Sequence, residues 1–222
     1  VQALAVVEVE AAITELKSQG CESVAICLLH AYANPQHEQQ VRAMMEAQWP
    51  QAYVCTSNEV LCEMREFERF ATTVVNASLL PVMDRYLDHL ERGLREREVT
   101  VEPRIMQSNG GAVAPLSVRK LPVNTFFSGP AAGVIGAARL GRRSNAPDLI
   151  TFDMGGTSTD VCLIHDGEPA MHNERQIAGL PVRIRTIDIH TVGAGGGSIA
   201  WVDAGGLLKV GPRSAGAVPG PA

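Results

Sequence analysis

The stretch TFDMGGTSTDV, residues 151–161, joins two apolar runs through a short polar turn. The runs 149–152 and 161–164 have the apolar character of strands that enter and leave a core. Gly155 and Gly156 carry no Cβ, so a ligand can approach their backbone closely and positive φ angles are open to them. The stretch therefore predicts a β-hairpin with a bare tip.

The polar residues of this hairpin match the needs of a phosphate site. Such a site uses free backbone N–H groups, small residues, hydroxyls and an acid that holds a neutralising metal ion. All of these occur in one run: Asp153, Met154, Gly155, Gly156, Thr157, Ser158, Thr159 and Asp160. A plain hairpin whose hydroxyls only satisfy the turn would show the same pattern. The signature G-x-x-x-x-G-K-[ST] does not occur, which excludes a P-loop.

A second glycine cluster, TVGAGGGSIAW, spans residues 191–201. A dinucleotide-binding motif must follow a strand and open a helix. Here the following sequence, SIAWVDAGGLLKV, has apolar runs around an Ala-Gly-Gly turn and indicates a hairpin. The dinucleotide interpretation is therefore rejected. The glycines either let the backbone approach a ligand or mark a crossing between strands.

Asp188 and His190 form a further candidate pair. The run VRIRTIDIHTV, residues 182–192, alternates apolar and polar residues with a slip near Thr186, which predicts one strand with an irregularity. Residues two apart on a strand share a face. The pair predicts an acid–base function or two metal ligands, with a solvated strand face as the alternative.

Composition narrows the class of protein. The net charge of −5 without a basic stripe argues against nucleic acid as the main partner. No apolar run approaches the roughly 18 residues of a membrane helix, and no signal peptide is visible at the start. The five cysteines are odd in number and lack a C-x-x-C pair, which argues against a disulfide framework or a zinc site. We expect a cytoplasmic protein without a membrane partner.

The pattern of predicted secondary structure changes near residue 98. Before it, predicted strands and helices alternate, as in an α/β protein. The predicted elements are a helix over residues 4–18 that is stopped by Gly20, a strand at Ser23–Leu29, a helix with Asn34 as N-cap and Pro35 as first residue, a strand at AYVCTS, and a long helix interrupted at Pro81. After it, strands dominate, apart from a helix of small residues from Ser128 to Gly141. This helix suits either tight packing or close approach of a flat ligand.

Several long motifs, in order, resemble the hydantoinase/oxoprolinase family and its A-type subunits, which include N-methylhydantoinase and 5-oxoprolinase. They are AICLLHAYANPQHE, EMREFERFATTVVNASLLPV, MQSNGG, FFSGPAAGVIGAARLG, TFDMGGTSTDVCLI, IDIHTVGAGGGSIAWVD and VGPRSAGAVPGPA. The resemblance implies an actin-like (ribonuclease H-like) ATPase fold of the actin, sugar kinase and Hsp70 superfamily, with mixed sheets flanked by helices and incomplete in this chain. It also implies that residues 1–98 end the family's N-terminal domain and that residues 99–222 begin its central ATPase-like domain.

The resemblance implies an ATP-dependent enzyme that opens cyclic amides such as hydantoins or 5-oxoproline by phosphorylating the amide oxygen. ATP and Mg²⁺ are the implied cofactors, and Asp153 is the implied metal ligand. Asp160, Asp188 and His190 join Asp153 as candidate catalytic residues. The nucleotide contacts would come from Gly155, Gly156, Thr157, Ser158, Thr159, Gly193, Gly195, Gly196 and Gly197.

The resemblance leaves two other functions open. One is a subunit of an acetone or acetophenone carboxylase, and the other is a non-catalytic nucleotide-binding module. A B-type hydantoinase subunit or domain is the implied partner, and a homo-oligomer is possible as well. The family carries another D-x-G-G-T turn near its N-terminus, whereas this sequence has only the one at 153 and starts without Met. We therefore expect a fragment that turns over little ATP by itself.

Overall fold

The computed structural model describes residues 3–216, 218 and 220, so part of the predicted terminal motif VGPRSAGAVPGPA lies outside the described residues. Helices and strands alternate in the first part of the chain, and strands dominate the second. In chain order the helices are α1 (Val6–Ser18), α2 (Gln36–Gln48), α3 (Ser57–Val60), α4 (Glu66–Glu96), α5 (Pro115–Lys120), a 3₁₀ helix (Pro122–Thr125) and α6 (Ser128–Arg143). The strands are β1 (Ser23–Ile26), β2 (Tyr53–Thr56), β3 (Ile105–Met106), β4 (Ala112–Val113), β5 (Leu149–Met154), β6 (Thr159–His165), β7 (Glu168–Pro169), β8 (Met171–His172), β9 (Arg175–Ile177), β10 (Leu180–Val182), β11 (Thr186–Ile187), β12 (His190–Val192), β13 (Ser198–Val202) and β14 (Leu208–Ser214).

The chain folds into two compact units. The first contains residues up to 105 together with 112–126 and 173–185, and the second contains 106–111, 127–172 and the residues from 186 onward. None of the helices in the described part of the chain is long and apolar enough to cross a membrane.

The first unit is built on the parallel pair β1–β2, which confirms the parallel pairing predicted from its apolar run. Its main core joins buried side chains from α1, β1 and α2: Ile13, Ile26, Met45 and Trp49. Helix α2 begins at Gln36, one residue later than predicted, because Pro35 occupies the cap position. Asn34 still satisfies a backbone donor at the start of the helix, because its Oδ1 accepts the N–H of Gln36 at 3.1 Å.

Helix α4 is the long element of this unit, and the predicted interruption at Pro81 does not break it. The helix is continuous from Glu66 to Glu96 although Pro81 removes one backbone donor. Buried residues lie on both sides of the proline, with Leu80 before it and Leu87 after it. Packing on both sides therefore holds the helix together across a residue that local propensity would use to end it.

A buried carboxylate links the loops that follow β1 and β2. Glu38 is only 1% exposed. Its Oε1 accepts the N–H of Leu28 at 2.8 Å and the hydroxyl of Ser57 at 2.5 Å, and its Oε2 accepts the N–H of Asn58 at 3.0 Å. The hydrogen bonds compensate for the burial of the charge. One side chain of α2 thus fixes the chain after both strands of the parallel pair.

The second unit is built on an antiparallel sheet in the order β12-β6-β5, with β7 paired to β6. Helix α6 supplies the core against this sheet through small side chains: Ala131, Val134 and Ala138 pack with Cys162, Ile164 and Ile187. The helix ends at Arg143 rather than at the predicted Gly141. Gly141 serves packing instead, because a Cβ there would lie 2.6 Å from the carbonyl oxygen of Ala146.

Two predicted hairpins of this unit are confirmed, and one predicted strand is wrong. Strand β6 turns into β7 at Asp166–Gly167, and β13 pairs with β14, so the glycine cluster before β13 opens no helix. The run 182–192 is not one strand, because it is divided among β10, β11 and β12. Alternation alone does not show where a strand changes its partner. Asp188 consequently lies between strands, while His190 begins β12.

Replacing Glu38 with alanine should destabilise the first unit by about 3 kcal/mol. The change leaves buried donors without an acceptor, and each such group costs about 1–3 kcal/mol. Glu46→Ala is the matched control on the same helix, since its exposed i,i+4 pair with Arg42 is worth less than about 1 kcal/mol. Urea denaturation followed by circular dichroism measures both. Equal losses for the two variants would contradict the structural role of Glu38.

Candidate functional site

The predicted phosphate turn is the tip of the β5–β6 hairpin. The strands extend to Met154 and from Thr159, so the turn itself comprises only 155–158. The N–H of Gly155 donates to the carbonyl of Ser158 at 2.9 Å, which closes the turn. Asp153, Thr159 and Asp160 are therefore strand residues with fixed directions and do not belong to a flexible loop.

The tip of the turn is open to solvent. Residues 153–157 are exposed. Among the described residues, no backbone or side-chain acceptor takes the N–H of Gly156 or of Thr157. Bare backbone donors at a tight turn form the kind of concavity that binds anions. The geometry thus keeps available the groups that a phosphate would use.

The second glycine cluster lies against this turn from the carbonyl side. The N–H of Gly196 donates to the carbonyl of Gly155 at 2.9 Å, and the N–H of Gly197 donates to that of Gly156 at 2.7 Å. A Cβ on Gly195 would lie 2.5 Å from the carbonyl oxygen of Gly155, so only glycine fits there. Contact of Gly193, Gly195, Gly196 and Gly197 with a nucleotide stays a prediction. Three of them support the turn in the structure.

The hydroxyl residues of the hairpin divide into two groups. Thr159 is 4% exposed, and its Oγ1 donates to the carbonyl of Ala194 at 2.6 Å, so this hydroxyl fastens the second glycine cluster to the hairpin. Thr157 is exposed and Ser158 is half-buried. These two hydroxyls are the ones at the turn itself, where a phosphate oxygen could reach them.

The two acids of the hairpin face each other across β5 and β6. Asp153 and Asp160 are direct register partners, so their side chains leave the same face of the sheet. Both line a cavity of about 310 Å³ whose other wall is the small-residue face of α6, including Gly133 and Ala137. Like charges in this arrangement repel each other unless a cation lies between them. The pair is therefore suited to holding a metal ion.

Asp160 has an additional partner that sequence reasoning missed. The hydroxyl of Thr191 on β12 donates to Asp160 Oδ1 at 2.6 Å. Thr191 is the register partner of Asp160 on the side opposite Asp153. No signal in the sequence reveals this pairing, because it depends on which strand lies next to β6.

Asp188 and His190 do not share a strand face as predicted. Asp188 Oδ1 lies 3.3 Å from the Nε2 of His172, and His190 is exposed at the start of β12. Ile189 between them lines the same cavity as Asp153 and Asp160. The residue between Asp188 and His190 thus forms part of the cavity wall. The catalytic roles of Asp188 and His190 remain predictions.

Cys27 and Cys55 are unsuited to act as catalytic nucleophiles. Burial raises the pKa of Cys55 to about 11, and burial together with nearby Glu38 does the same for Cys27. A thiol with this pKa is neutral at physiological pH and is a poor nucleophile. The described residues also contain no group of three or more His, Cys, Asp or Glu side chains placed to hold a metal ion.

Comparison with known proteins shows which family the sequence matches. The hydantoinase/oxoprolinase family model matches residues 69–222, and the model of the hydantoinase/oxoprolinase N-terminal region matches residues 1–48. Caprolactamase subunit alpha of Pseudomonas jessenii is 39% identical over 96% of this chain and 31% of its own length. The 5-oxoprolinase of Saccharomyces cerevisiae is 40% identical over 93% of this chain and 16% of its own length.

Solved structures show the same fold. The crystal structure of the ATP-dependent caprolactamase from Pseudomonas jessenii superimposes with a TM-score of 0.87, covering 99% of this chain and 32% of that one at 39% identity. Nucleotide-free acetone carboxylase superimposes with a TM-score of 0.70, covering 94% of this chain and 30% of that one at 29% identity. The predicted fold class, a partial actin-like α/β ATPase fold, is confirmed. The chain spans less than a third of these relatives' length.

Replacing Gly195 with alanine should disturb the turn, whereas the same change at Gly193 should not. The added Cβ at 195 meets the Gly155 carbonyl, and overpacking of this kind costs about 1–3 kcal/mol. A Cβ at Gly193 meets nothing within 4 Å, and the expected change is within about 0.5 kcal/mol. Urea denaturation measures the loss, and hydrogen exchange at Gly196 and Gly197 locates it. Unchanged exchange at both amides in Gly195→Ala would refute the close-contact explanation.

Proposed function

Because this chain belongs to the hydantoinase/oxoprolinase family, we propose that it carries part of the ATP site of a subunit that opens cyclic amides. One observation carries the proposal: a turn with bare N–H groups lies beside two paired carboxylates. Support comes from the similarity to an ATP-dependent caprolactamase and to 5-oxoprolinase, both named for reactions on cyclic amides.

The turn is proposed to bind the phosphate end of ATP. The N–H groups of Gly156 and Thr157 are directed donors, and the hydroxyls of Thr157 and Ser158 add further ones. Phosphoryl transfer depends mainly on positioning and on neutralising charge. A turn held from behind by Gly196 and Gly197 supplies this positioning because its donors need not reorganise when the phosphate arrives.

Asp153 and Asp160 are proposed to hold Mg²⁺. The donor set fits this ion, because Mg²⁺ in phosphate sites takes one or two carboxylates and completes its shell with water and phosphate oxygens. The mutual repulsion of the two acids gives the protein a further reason to bind a cation there. When bound, the ion would neutralise the charge on the transferring phosphoryl group.

The proposed reaction transfers the γ-phosphoryl group of ATP to the amide oxygen of the ring. The bond between the γ-phosphorus and its bridging oxygen breaks, ADP leaves, and the ring carbon becomes electrophilic enough for water to attack. Inorganic phosphate then leaves with the former amide oxygen and the C–N bond of the ring breaks, which gives a carboxylate and an amine. Asp188 and His190 are proposed as acid–base residues on the chemistry of their side chains. Ile189 between them lines the cavity, and adjacent side chains of an extended segment point to opposite sides, so the assignment rests on side-chain chemistry and not on position.

A ketone carboxylase subunit is the second candidate function. The observation that favours it is the structural similarity to acetone carboxylase, at a TM-score of 0.70. A non-catalytic nucleotide-binding module would use the same turn without a reaction. Lower identity to acetone carboxylase than to caprolactamase, 29% against 39%, supports cyclic amide opening over ketone carboxylation.

The proposed setting is a cytoplasmic, multi-subunit enzyme. Cys21, Cys27, Cys55 and Cys62 carry free thiols, as suits a reducing compartment. The similarity to a protein named as a subunit supports further subunits, and a B-type hydantoinase subunit or domain is the proposed partner.

Phosphate release by the whole enzyme, with all its subunits, tests the proposed function. We expect ATP hydrolysis to rise on addition of caprolactam, a hydantoin or 5-oxoproline, and not on addition of acetone with bicarbonate. The chain of residues 1–222 by itself should release little phosphate with any of them. Stimulation by ketone and bicarbonate alone would establish the second candidate, and the absence of ATP binding would sink both.

Asp153→Asn should lower the Mg²⁺-dependent ATP turnover of the whole enzyme by about 100-fold or more. A metal ion at this site supplies several kcal/mol of charge stabilisation, and the amide is a poor ligand for it. Asp166→Asn is the matched control, because it makes the same charge change at the other end of β6, at a turn position with φ of 52° that asparagine tolerates. The melting temperature should stay close to wild type in both variants. Unchanged turnover in Asp153→Asn would remove the metal assignment.

A further inference from the structure

We propose that Thr191 is a positioning residue that holds the carboxylate of Asp160 in the orientation required for binding Mg²⁺ and the nucleotide. The inference deepens the proposed function and rests on it. Thr191 is the first residue of the second glycine cluster, and it lies on strand β12 ahead of the glycines.

The residues involved form a row across three strands. Asp153 on β5, Asp160 on β6 and Thr191 on β12 are consecutive register partners, so all three side chains lie on one face of the sheet. Asp160 is the middle member of this row. It has a repelling carboxylate on one side and a hydroxyl donor on the other.

The hydrogen bond constrains Asp160 in a specific way. The Thr191 hydroxyl donates to Oδ1 at 2.6 Å, a distance typical of a strong bond to an ionised acceptor. A carboxylate without such a donor rotates broadly about χ2. Among the described residues, the other oxygen of Asp160, Oδ2, has no hydrogen-bond donor. The bond thus fixes one oxygen and leaves the other available as a ligand.

Because Thr191 is exposed, an effect on the position of Asp160 can be distinguished from an effect on the stability of the fold. Thr191 is exposed, so its hydroxyl fills no core space. Exposed strand positions also accept valine well. Removing the hydroxyl should therefore change the melting temperature by no more than about 2 °C. Partners that orient metal ligands commonly matter about 10-fold to 100-fold for metal affinity, so the functional effect should be much larger than the structural one.

The test compares Thr191→Val, Thr191→Ser, Asp160→Ala and the double variant Thr191→Val/Asp160→Ala in the whole enzyme. ATP affinity is measured calorimetrically with Mg²⁺ and with EDTA, and Mn²⁺ binding is measured by electron paramagnetic resonance. We expect Thr191→Val to weaken Mg²⁺-dependent ATP binding about 10-fold. Thr191→Ser should stay within about twofold of wild type because it keeps the donor. Thr191→Val should cause no further loss once Asp160 is alanine, because Thr191 acts through Asp160.

Several results would overturn the inference: a Thr191→Ser variant as weak as Thr191→Val, an equal loss with EDTA, a further loss in the Asp160→Ala background, or no loss at all. Failure of the proposed function is a separate outcome. If cyclic amides do not stimulate phosphate release while the binding pattern holds, the substrate assignment fails and the role of Thr191 stands. If ATP binding by the wild type is independent of Mg²⁺, the role of Thr191 fails whatever the substrate.

Discussion

The direction of two backbone hydrogen bonds determines what the hairpin tip can do. The carbonyls of Gly155 and Gly156 accept the N–H groups of Gly196 and Gly197, so the protein uses the acceptor side of the turn. Each peptide unit has one donor and one acceptor, and in a tight turn they point to different sides. Satisfying the acceptors from within leaves the donors of the tip as the groups that face solvent. The turn consequently presents hydrogen-bond donors to solvent, although the side chains beside it include two acids.

This constraint explains why glycine is needed in the second segment. Backbones that exchange hydrogen bonds at 2.7–2.9 Å leave no room for a Cβ at the point of closest approach, and Gly195 occupies that point. The hydroxyl of Thr159 then fastens the two segments by donating to the carbonyl of Ala194, and the hydroxyl of Ser198 accepts the N–H of Gly195 within the second segment. A cluster of glycines can therefore indicate contact with a ligand, and it can equally indicate close contact between two segments of the chain.

Sequence patterns within a short window predict those elements whose structure depends mainly on neighbouring residues. The β5–β6 hairpin, the β13–β14 hairpin and helix α1 follow from turn residues and apolar runs within a short window. Errors occur where tertiary packing overrides such signals, as at Pro81, which is buried within an unbroken helix. The division of residues 182–192 among three strands has a related cause, since alternation is preserved while the neighbouring strand changes. The Asp160–Thr191 bond depends on sheet order, which no local pattern contains.

If ATP binds at this turn as proposed, the paired acids also restrict how the nucleotide can enter the site. Two carboxylates about 5 Å apart repel by about 1 kcal/mol in a watery dielectric and by more in a partly closed cavity. A triphosphate brings further negative charge to the same place. Binding of the bare anion is therefore opposed by Asp153 and Asp160, and binding of the anion together with a divalent cation is favoured by them. In the proposed site the acids would make the exposed donors of the turn selective, since free phosphate anions would meet repulsion where a metal-bound nucleotide would meet attraction. Neutral residues at both positions would leave a turn that accepts anions with less discrimination.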